Sequence, residues 1–444
     1  MKSIIHRNSQ LYDTERAGFQ RLALHEPDLV VPAASPEDVR EAVAHAAAAG
    51  LPVAVQAAGH GLPVPATEGL LINTNRLSSV TVDPVTATAR IEAGARWHQV
   101  IAEAARHGLA PLSGSSPGVG AVPYTLGGGL SLMARPYGYA ADQVRAIDVV
   151  TADAEPRHVT PGDDLHGDLY WALVGGRSNF GVVTALEIGL VPVERIYGGA
   201  LYFDAGHAGE ALRTWAAWTA SLPDEMTSSI AIIPFPDAPQ APERFRGRTV
   251  ATVRIAFTGG AEEGEDLVRP LRAIGPRLVD TVGVMPYTAS ASIHDDPTEP
   301  AGYYATHSVL RELPPAAVDA LLDVTGCVVE VRHLGGALSK PQSYPNSVGN
   351  RDAGYSASLL SPGLAPGTDT TALRPAHDRA RDALAPWSTG GRLLNFLYGE
   401  NATPEEVRRA YEPADYRRLA ELKAEWDPRN MFRLNHNIPP APHP

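Results

Sequence analysis

The chain has 444 residues, with 50 Asp and Glu against 37 Lys and Arg, which gives a formal charge of −13. That balance argues against a nucleic-acid-binding protein, because such proteins neutralise phosphates with Lys and Arg. Hydrophobic residues make up 44% and charged residues 20%, as in a globular chain with a large core. No apolar run approaches the ~18 residues that would span a membrane.

The first third of the chain predicts helices and strands joined by small-residue loops. A helix is expected to begin after the N-cap Ser35, which precedes a proline and two acidic residues, and to end at Gly50. Alternating residues around Asp83 predict a hairpin. The other elements expected here are strands at 52–56 and 70–73, a helix at 97–105, a strand at 144–151, a helix at 165–173 and a strand at 181–190.

Longer strands and amphipathic helices are predicted from about residue 198 onward. Examples are the strands at 249–258 and 327–333, and the pattern favours a sheet with helices on one face. A final strand is expected at 385–397. A helix is then expected to start at Thr403 and to place an apolar face along the chain as far as Trp426.

The cysteine content and the N-terminus suggest where the protein acts. The chain has one cysteine, Cys327, which excludes an internal disulfide and a multi-cysteine zinc site. The first residues lack the basic-then-apolar pattern of a signal peptide, so a cytoplasmic location is expected. No His-Glu-x-x-His or similar ligand spacing occurs, and no metal is expected.

Three glycine-rich loops follow predicted strands, at 57–61, 113–120 and 125–129. Glycine lets backbone N–H groups converge on an anion, so such loops can cradle a pyrophosphate, although each alone is more often a tight turn. His60 lies in the first loop, where a neutral imidazole could act as a base or a nucleophile, or could simply belong to a turn.

The loops read in order carry a family resemblance. The segments PVAVQAAGHG, GLAPLSGSSPGVGAVPYTLGGGLSLMARPYGYAADQV, DLYWALVGGRSNFGVVT and YRRLAELKAEWDPRNMFRLNHNI, together with LLINTNRLSSVTVDPVTATARIEAGARWHQV, resemble the berberine bridge enzyme-like branch of the vanillyl alcohol oxidase/p-cresol methylhydroxylase (PCMH-type) flavoprotein superfamily. The resemblance runs from about residue 32 to 439. It implies an α+β fold, in which residues 1–195 and 386–444 form a PCMH-type FAD-binding domain. Residues 196–385 would form a substrate domain, with a mostly antiparallel sheet backed by helices.

The resemblance also implies the cofactor and how it is held. In that family the histidine of the Gly-His loop, here His60, bonds covalently to the flavin of FAD. Many members add a cysteinyl bond at the position of Ser116, and a hydroxyl cannot form that thioether, so attachment through His60 alone is expected. The other implied cofactor-binding residues are Ala57, Ala58, Gly59, Gly61, Ser116, Val119, Gly120, Thr125, Gly127, Gly128, Tyr137, Asn179, Gly181, Val182, Val183, Asn435 and Asn437.

Two departures from the family pattern affect the expected chemistry. Val122-Pro123 replaces a Gly-Gly pair, which leaves oxygen reactivity open. Where several members have Tyr-x-Asn-Tyr, with a tyrosine as base, this chain has 393–396 (LLNF), which keeps Asn395 and loses both phenols. Tyr398 has the opposite strand parity to Asn395.

The catalytic groups are therefore sought on the strand at 327–333. Period-2 geometry places Glu330 and Arg332 on one face, above either a ligand cavity or an ordinary solvent face. Burial would raise the pKa of Glu330 toward that of a general base, and Arg332 would oppose the shift. His333 is expected to be structural, and Tyr303 to be buried in packing.

The leading functional hypothesis is an FAD-dependent oxidase that takes hydride from a small organic substrate, with Glu330, Arg332 and Asn395 as catalytic candidates and molecular oxygen as acceptor. A polycyclic or polyketide-like secondary metabolite is the favoured substrate. One alternative keeps the flavin and inserts oxygen into the substrate. Another is a flavin-bound protein that binds a ligand without redox turnover. Neither nucleic acid nor membrane is expected as a partner.

Overall fold

The computed structural model describes residues 4–62, 64–239 and 241–442. Its strands are, in chain order, β1 (Ile5–His6), β2 (Leu29–Pro32), β3 (Val53–Gln56), β4 (Leu70–Asn73), β5 (Val80–Asp83), β6 (Thr88–Glu92), β7 (Val144–Val150), β8 (Pro156–Val159), β9 (Val182–Gly189), β10 (Arg195–Asp204), β11 (Met226–Pro234), β12 (Thr249–Phe257), β13 (Val279–Asp280), β14 (Gly283–Pro286), β15 (Gly302–Leu310), β16 (Val328–His333) and β17 (Tyr355–Leu364). Its α-helices are α1 (Tyr12–Arg16), α2 (Pro36–Ala49), α3 (Trp97–Ala105), α4 (Ala121–Leu126), α5 (Ala134–Tyr137), α6 (Gly167–Gly176), α7 (Ala205–Thr219), α8 (Ala261–Arg272), α9 (Pro315–Leu322), α10 (Arg374–Leu384), α11 (Pro404–Arg408) and α12 (Pro413–Trp426).

Two small sheets make up the first part of the molecule. One has the order β1-β2-β4-β3, with β2 and β3 both parallel to β4, and the other is antiparallel with the order β5-β6-β9-β7-β8. The helix α2 begins and ends where the sequence predicts. The Ser35 hydroxyl accepts a hydrogen bond from the Asp38 amide at 3.1 Å at its start, and Gly50 takes a left-handed φ of 67° at its end.

The middle of the chain forms one antiparallel sheet with the order β13-β10-β12-β11-β16-β17-β15, and β14 also pairs with β10. Helices cover one face: α7 packs on β10 and β12, and α10 on β15. The apolar core between them includes Trp215, Val253, Val329 and Val331. The α+β class and the helix-backed sheet expected from the sequence are confirmed, and the other face of this sheet is left to line the site.

A buried ion pair within the C-terminal segment also contacts the first part of the molecule. Lys423 and Asp427 of the α12 end are 0% and 1% exposed, with Nζ 2.7 Å from Oδ2. Nζ also donates to the carbonyl oxygens of Asn179 and Phe432, at 2.5 and 3.1 Å. Burial lowers the pKa of Lys423 to about 8, against the attraction of Asp427. This cluster fixes α12 to the loop before β9.

Lys423→Met should lower the free energy of unfolding by about 3–5 kcal/mol, because it leaves the Asp427 carboxylate buried without its cation. Urea unfolding followed by far-UV circular dichroism measures the loss. Arg418→Gln, in the same helix, removes an exposed pair with Asp168 and should change stability by less than about 1 kcal/mol. Equal losses in the two variants would contradict the structural role of Lys423.

The structure departs from the expected elements in the C-terminal quarter. The strand expected at 385–397 is wrong: the chain forms short 3-10 turns there, Ala385–Trp387 and Leu394–Phe396. The helix expected from Thr403 is two helices, α11 and α12, because Pro413 starts a new one. None of the helices in the described ranges combines the length and the apolar character that crossing a bilayer requires.

Candidate functional site

A cavity of about 370 Å³ lies between the glycine loops of the first part and the uncovered face of the large sheet. Its walls come from residues as far apart as His25 and His436. Of the cofactor-binding residues expected from the sequence, those that line it are Ala57, Ala58, Gly59, His60, Gly61, Ser116, Val119, Gly120, Val183 and Asn435. The catalytic candidates Arg332 and Asn395 line it as well.

Two contacts hold His60 in place. Its ring stacks on Phe19 with centroids 3.8 Å apart, and its carbonyl oxygen accepts a hydrogen bond from the Tyr303 hydroxyl of β15. Its Nε2 is buried and has no hydrogen-bond partner among the described residues. Burial above all, and then the charge of Arg96, lower the pKa of His60 to about 4, against a smaller opposing effect of the Gly118 backbone. The imidazole is therefore neutral at pH 7 and can act as a nucleophile.

Ser116 lies in the same cavity as His60. The one cysteine of the chain, Cys327, is buried just before β16 and does not line the cavity. The cavity thus presents the His60 imidazole and the Ser116 hydroxyl, whereas a second covalent bond would need a thiol.

The cavity lining has the polar atoms that a large polar ligand would satisfy. Buried polar atoms in proteins are nearly always hydrogen-bonded. Here His60 Nε2, the Tyr124 hydroxyl, Arg177 Nε and Asn435 Oδ1 are buried on lining residues without a partner in the described chain. FAD combines an apolar ring system with many polar atoms, so these residues and the adjoining glycine loops fit that cofactor.

The expected cofactor-binding residues that do not line the cavity pack behind it. Asn179 is fully buried and bonds through its amide to the His436 carbonyl and the Ile438 amide, at 2.9 Å each. Gly181 has no room for a side chain, since a Cβ would stand 2.6 Å from the Val150 carbonyl oxygen. Thr125, Gly127, Gly128, Tyr137, Val182 and Asn437 also lie outside the lining.

Asn395 is fully engaged by its neighbours. Its Nδ2 donates to the Tyr124 carbonyl at 2.8 Å, and its Oδ1 accepts from Arg177. A Cβ on Gly127 would stand 2.2 Å from Asn395 Oδ1, so this glycine serves the approach of Asn395 and Arg177. Burial lowers the pKa of Arg177 to about 10, and the guanidinium is still charged at pH 7. Asn395 therefore positions its neighbours.

Glu330 stands behind Arg332 and outside the cavity lining. Its Oε1 accepts from Arg254 at 2.6 Å and its Oε2 from Arg332 Nε at 2.9 Å. Burial acts to raise the pKa of Glu330, but Arg332 and Arg254 together bring it below its ordinary value. This geometry does not favour the general-base role suggested by the sequence, because both oxygens are occupied by cations.

Three tyrosines in the lining were not selected from the sequence: Tyr124, Tyr303 and Tyr398. Tyr398 packs edge-on against Tyr303 with ring centroids 5.4 Å apart, and its hydroxyl makes no hydrogen bond within the described chain. Burial raises the pKa of Tyr124 and of Tyr398 above the ordinary value, so both are protonated donors at pH 7. The signal for Tyr124 was available, since it lies inside the resembling segment.

Two family descriptions match the chain. Residues 27–160 match the FAD binding domain family, and residues 398–439 match the family described as berberine and berberine like. The first range contains the His60 and Ser116 loops, and the second contains Tyr398 and Asn435.

Relatives cover nearly the whole chain. (R)-6-hydroxynicotine oxidase of Paenarthrobacter nicotinovorans is 29% identical over 454 residues, which cover 96% of this chain and 95% of the relative. The crystal structure of 6-hydroxy-D-nicotine oxidase from Arthrobacter nicotinovorans superimposes with a TM-score of 0.84 at 22% identity, over 99% of this chain and 98% of that one. The xylooligosaccharide oxidase of Myceliophthora thermophila gives 0.85 at 19% identity, over 99% and 97%. With the histidine-bearing cavity, these matches support the berberine bridge enzyme-like, PCMH-type FAD-binding family as the one that this chain resembles.

Proposed function

We propose that the protein is an FAD-dependent oxidase of a small organic metabolite, with FAD attached through His60 alone and molecular oxygen as the electron acceptor. The observation that carries the proposal is the buried, unpartnered and neutral Nε2 of His60 in a cavity that presents Ser116 and no cysteine. The proposal includes a cofactor domain formed by residues 1–195 and 386–444, a substrate domain formed by residues 196–385, and a cytoplasmic location.

The residues of the chain supply binding and orientation. When bound, FAD supplies the acceptor for two electrons from a substrate C–H bond, and oxygen takes them up with two protons as hydrogen peroxide. Phe19 and the Tyr303 hydroxyl both hold the His60 loop in place. Tyr124, Tyr398 and Arg332 contribute hydrogen-bond donors to the cavity lining, against which a substrate would bind.

The phenols bind the substrate as protonated donors in this proposal. Tyr398 lines the cavity and its hydroxyl is not bonded elsewhere. Burial above all, and then the charge of Glu330, raise the pKa of Tyr398 against a smaller effect of Arg332, so its hydroxyl donates a hydrogen bond to the substrate. Tyr124 of α4 offers a second hydroxyl in the same lining.

The test uses the purified protein. Acid precipitation should leave the yellow colour in the pellet, and mass spectrometry of tryptic peptides should place flavin on the peptide that contains His60. Colour released into the supernatant, or flavin on another peptide, contradicts the attachment. A substrate found in a panel of alcohols, amines, sugars and polyketide-like phenols should bleach the flavin anaerobically, and air should restore the colour with one hydrogen peroxide per turnover.

Two other outcomes would redirect the proposal. Oxygen-18 from labelled oxygen appearing in the product would replace the oxidase by an oxygenase. A ligand that shifts the flavin spectrum without bleaching it, and without any compound that does bleach it, would favour a binding protein.

A further inference from the structure

The wall of the cavity formed by the large sheet carries a buried cluster of two arginines and one glutamate. Antiparallel register places Arg254 of β12 and Arg332 of β16 opposite Ser229 of β11, one on each side of it. The small serine leaves room above β11, and Glu330 bridges the two guanidinium groups at 2.6 and 2.9 Å. The side chains of Arg254, Glu330 and Arg332 are 7%, 15% and 17% exposed.

The charges of this cluster do not cancel. Two guanidinium groups share one carboxylate, which leaves one positive charge beside the cavity. His294 lies 3.7 Å from Glu330, but burial holds its pKa well below the ordinary value, so it is neutral and adds no charge. Asp296 also attracts Arg332, from a half-buried position that is not within ion-pair distance. Among the described residues, no aspartate or glutamate lines the cavity itself.

Arg332 is fixed with free donors toward the cavity. Its Nε is bound to Glu330 at 2.9 Å and its guanidinium lies over Phe396, 5.6 Å from the ring centre. Its two terminal nitrogens make no hydrogen bond with any described residue, although Arg332 lines the cavity. A buried guanidinium with unpaired donors is costly unless an anion is present, and its fork matches a carboxylate or another oxyanion.

Tyr124 of α4 adds a second unpaired donor to the cavity lining. Its hydroxyl is buried and has no partner in the described chain. Burial raises the pKa of Tyr124, and the charge of Arg332 acts to lower it. We propose that Arg332 and Tyr124 form an oxyanion subsite, so that the substrate of this oxidase carries a carboxylate or an acidic phenol oxygen beside the carbon that is oxidised. Glu330 and Arg254 are positioning residues: one fixes Arg332, and the other keeps Glu330 from neutralising it. This inference rests on the proposed function.

The test measures binding of three probes that share a ring and differ in charge: benzoate, benzamide and benzylamine. Perturbation of the flavin absorption spectrum and titration calorimetry give the dissociation constants for the yellow holoenzyme. Benzoate should bind more tightly than benzamide, and benzylamine should bind least. Benzylamine binding as tightly as benzoate overturns the inference, as does the absence of binding by both benzoate and the larger 2-naphthoate.

Variants locate the subsite. Arg332→Gln should weaken benzoate binding by about 10- to 100-fold and leave benzamide nearly unchanged, as expected for loss of a charged donor. Tyr124→Phe should weaken it by about 3- to 10-fold. Arg254→Gln should also weaken it, although Arg254 does not line the cavity. Arg418→Gln, an exposed pair elsewhere, is the matched control and should bind all three probes as the parent does.

The outcomes separate this inference from the proposed function. Failure to retain FAD in the parent protein would refute the function before any probe is added. Retained flavin with no preference for the anion refutes only the subsite. Loss of FAD in the Arg332→Gln protein would show that Arg332 holds the cofactor, which also overturns the subsite. Should Arg332→Gln not fold, the Arg332→Lys, Tyr124→Phe and Arg254→Gln proteins carry the same comparison.

Discussion

Acid precipitation of His60→Ala protein should release all of its flavin into the supernatant, whereas the parent pellet should stay yellow. Alanine has no nitrogen to bond to the flavin, and the cavity lining presents the Ser116 hydroxyl and no thiol in its place. The effect is complete, because covalent attachment cannot be partly retained in a given molecule. In-gel fluorescence after denaturing electrophoresis measures it directly.

The control for this variant is His45→Ala. His45 is exposed on α2, so its replacement should leave the pellet as yellow as that of the parent. Flavin that stays in the His60→Ala pellet would mean that another side chain makes the bond. His60→Ala protein that takes up FAD reversibly would show in addition that the cavity binds the cofactor without the covalent link.

Stability should fall steeply between pH 6.5 and pH 4. Several histidines away from the attachment position have depressed pKa values, among them His25 at about 4, and His307, His333 and His436 at about 3, each chiefly because burial disfavours the charged ring. Unfolding lets these rings take up protons near pH 6.5, so the unfolded state binds more protons and acid favours it. The stability is full above pH 6.5. At pH 5 each ring should cost roughly 2 kcal/mol, which together approaches the whole stability of a typical domain.

Urea unfolding at half-unit steps from pH 7.5 to pH 4.5 measures this effect. His307→Asn should reduce the slope of the unfolding free energy against pH by about 1.4 kcal/mol per unit, the value for one proton. His45→Ala replaces an exposed histidine of α2 and is the matched control for this measurement. A flat profile down to pH 5 would contradict neutral burial of the four rings.

Local signals made much of the fold predictable from the sequence. The N-cap Ser35 and the left-handed Gly50 set the bounds of α2 by contacts within a few residues. The alternation that puts Glu330 and Arg332 on one face puts Val329 and Val331 on the other, and the structure buries both valines in the core. The order of the motifs indicated the family, because glycine is needed wherever the backbone must pass close to a ligand.

The part of the cavity lining around Arg332 and Tyr398 was less predictable, because it depends on contacts between residues distant in sequence. Tyr398 was set aside by a strand rule, but residues 394–396 form a 3-10 turn, in which alternation does not apply. The second cation on Glu330 comes from Arg254, on a strand that pairs with β11 and not with β16 itself. No spacing in the sequence predicts that contact. The sequence therefore set only Arg332 against the effect of burial on the pKa of Glu330, whereas in the structure Arg332 and Arg254 together lower it.

The order in which the cavity walls appear along the chain affects how the protein is made. The residues that line the cavity run from His25 to His436. A ribosome must therefore have made the chain as far as His436 before the pocket can close, and cofactor capture has to follow that point of synthesis. Until then the apolar walls stay open to solvent, which makes low temperature, chaperones and ample flavin during expression the conditions that favour a high yield of yellow protein.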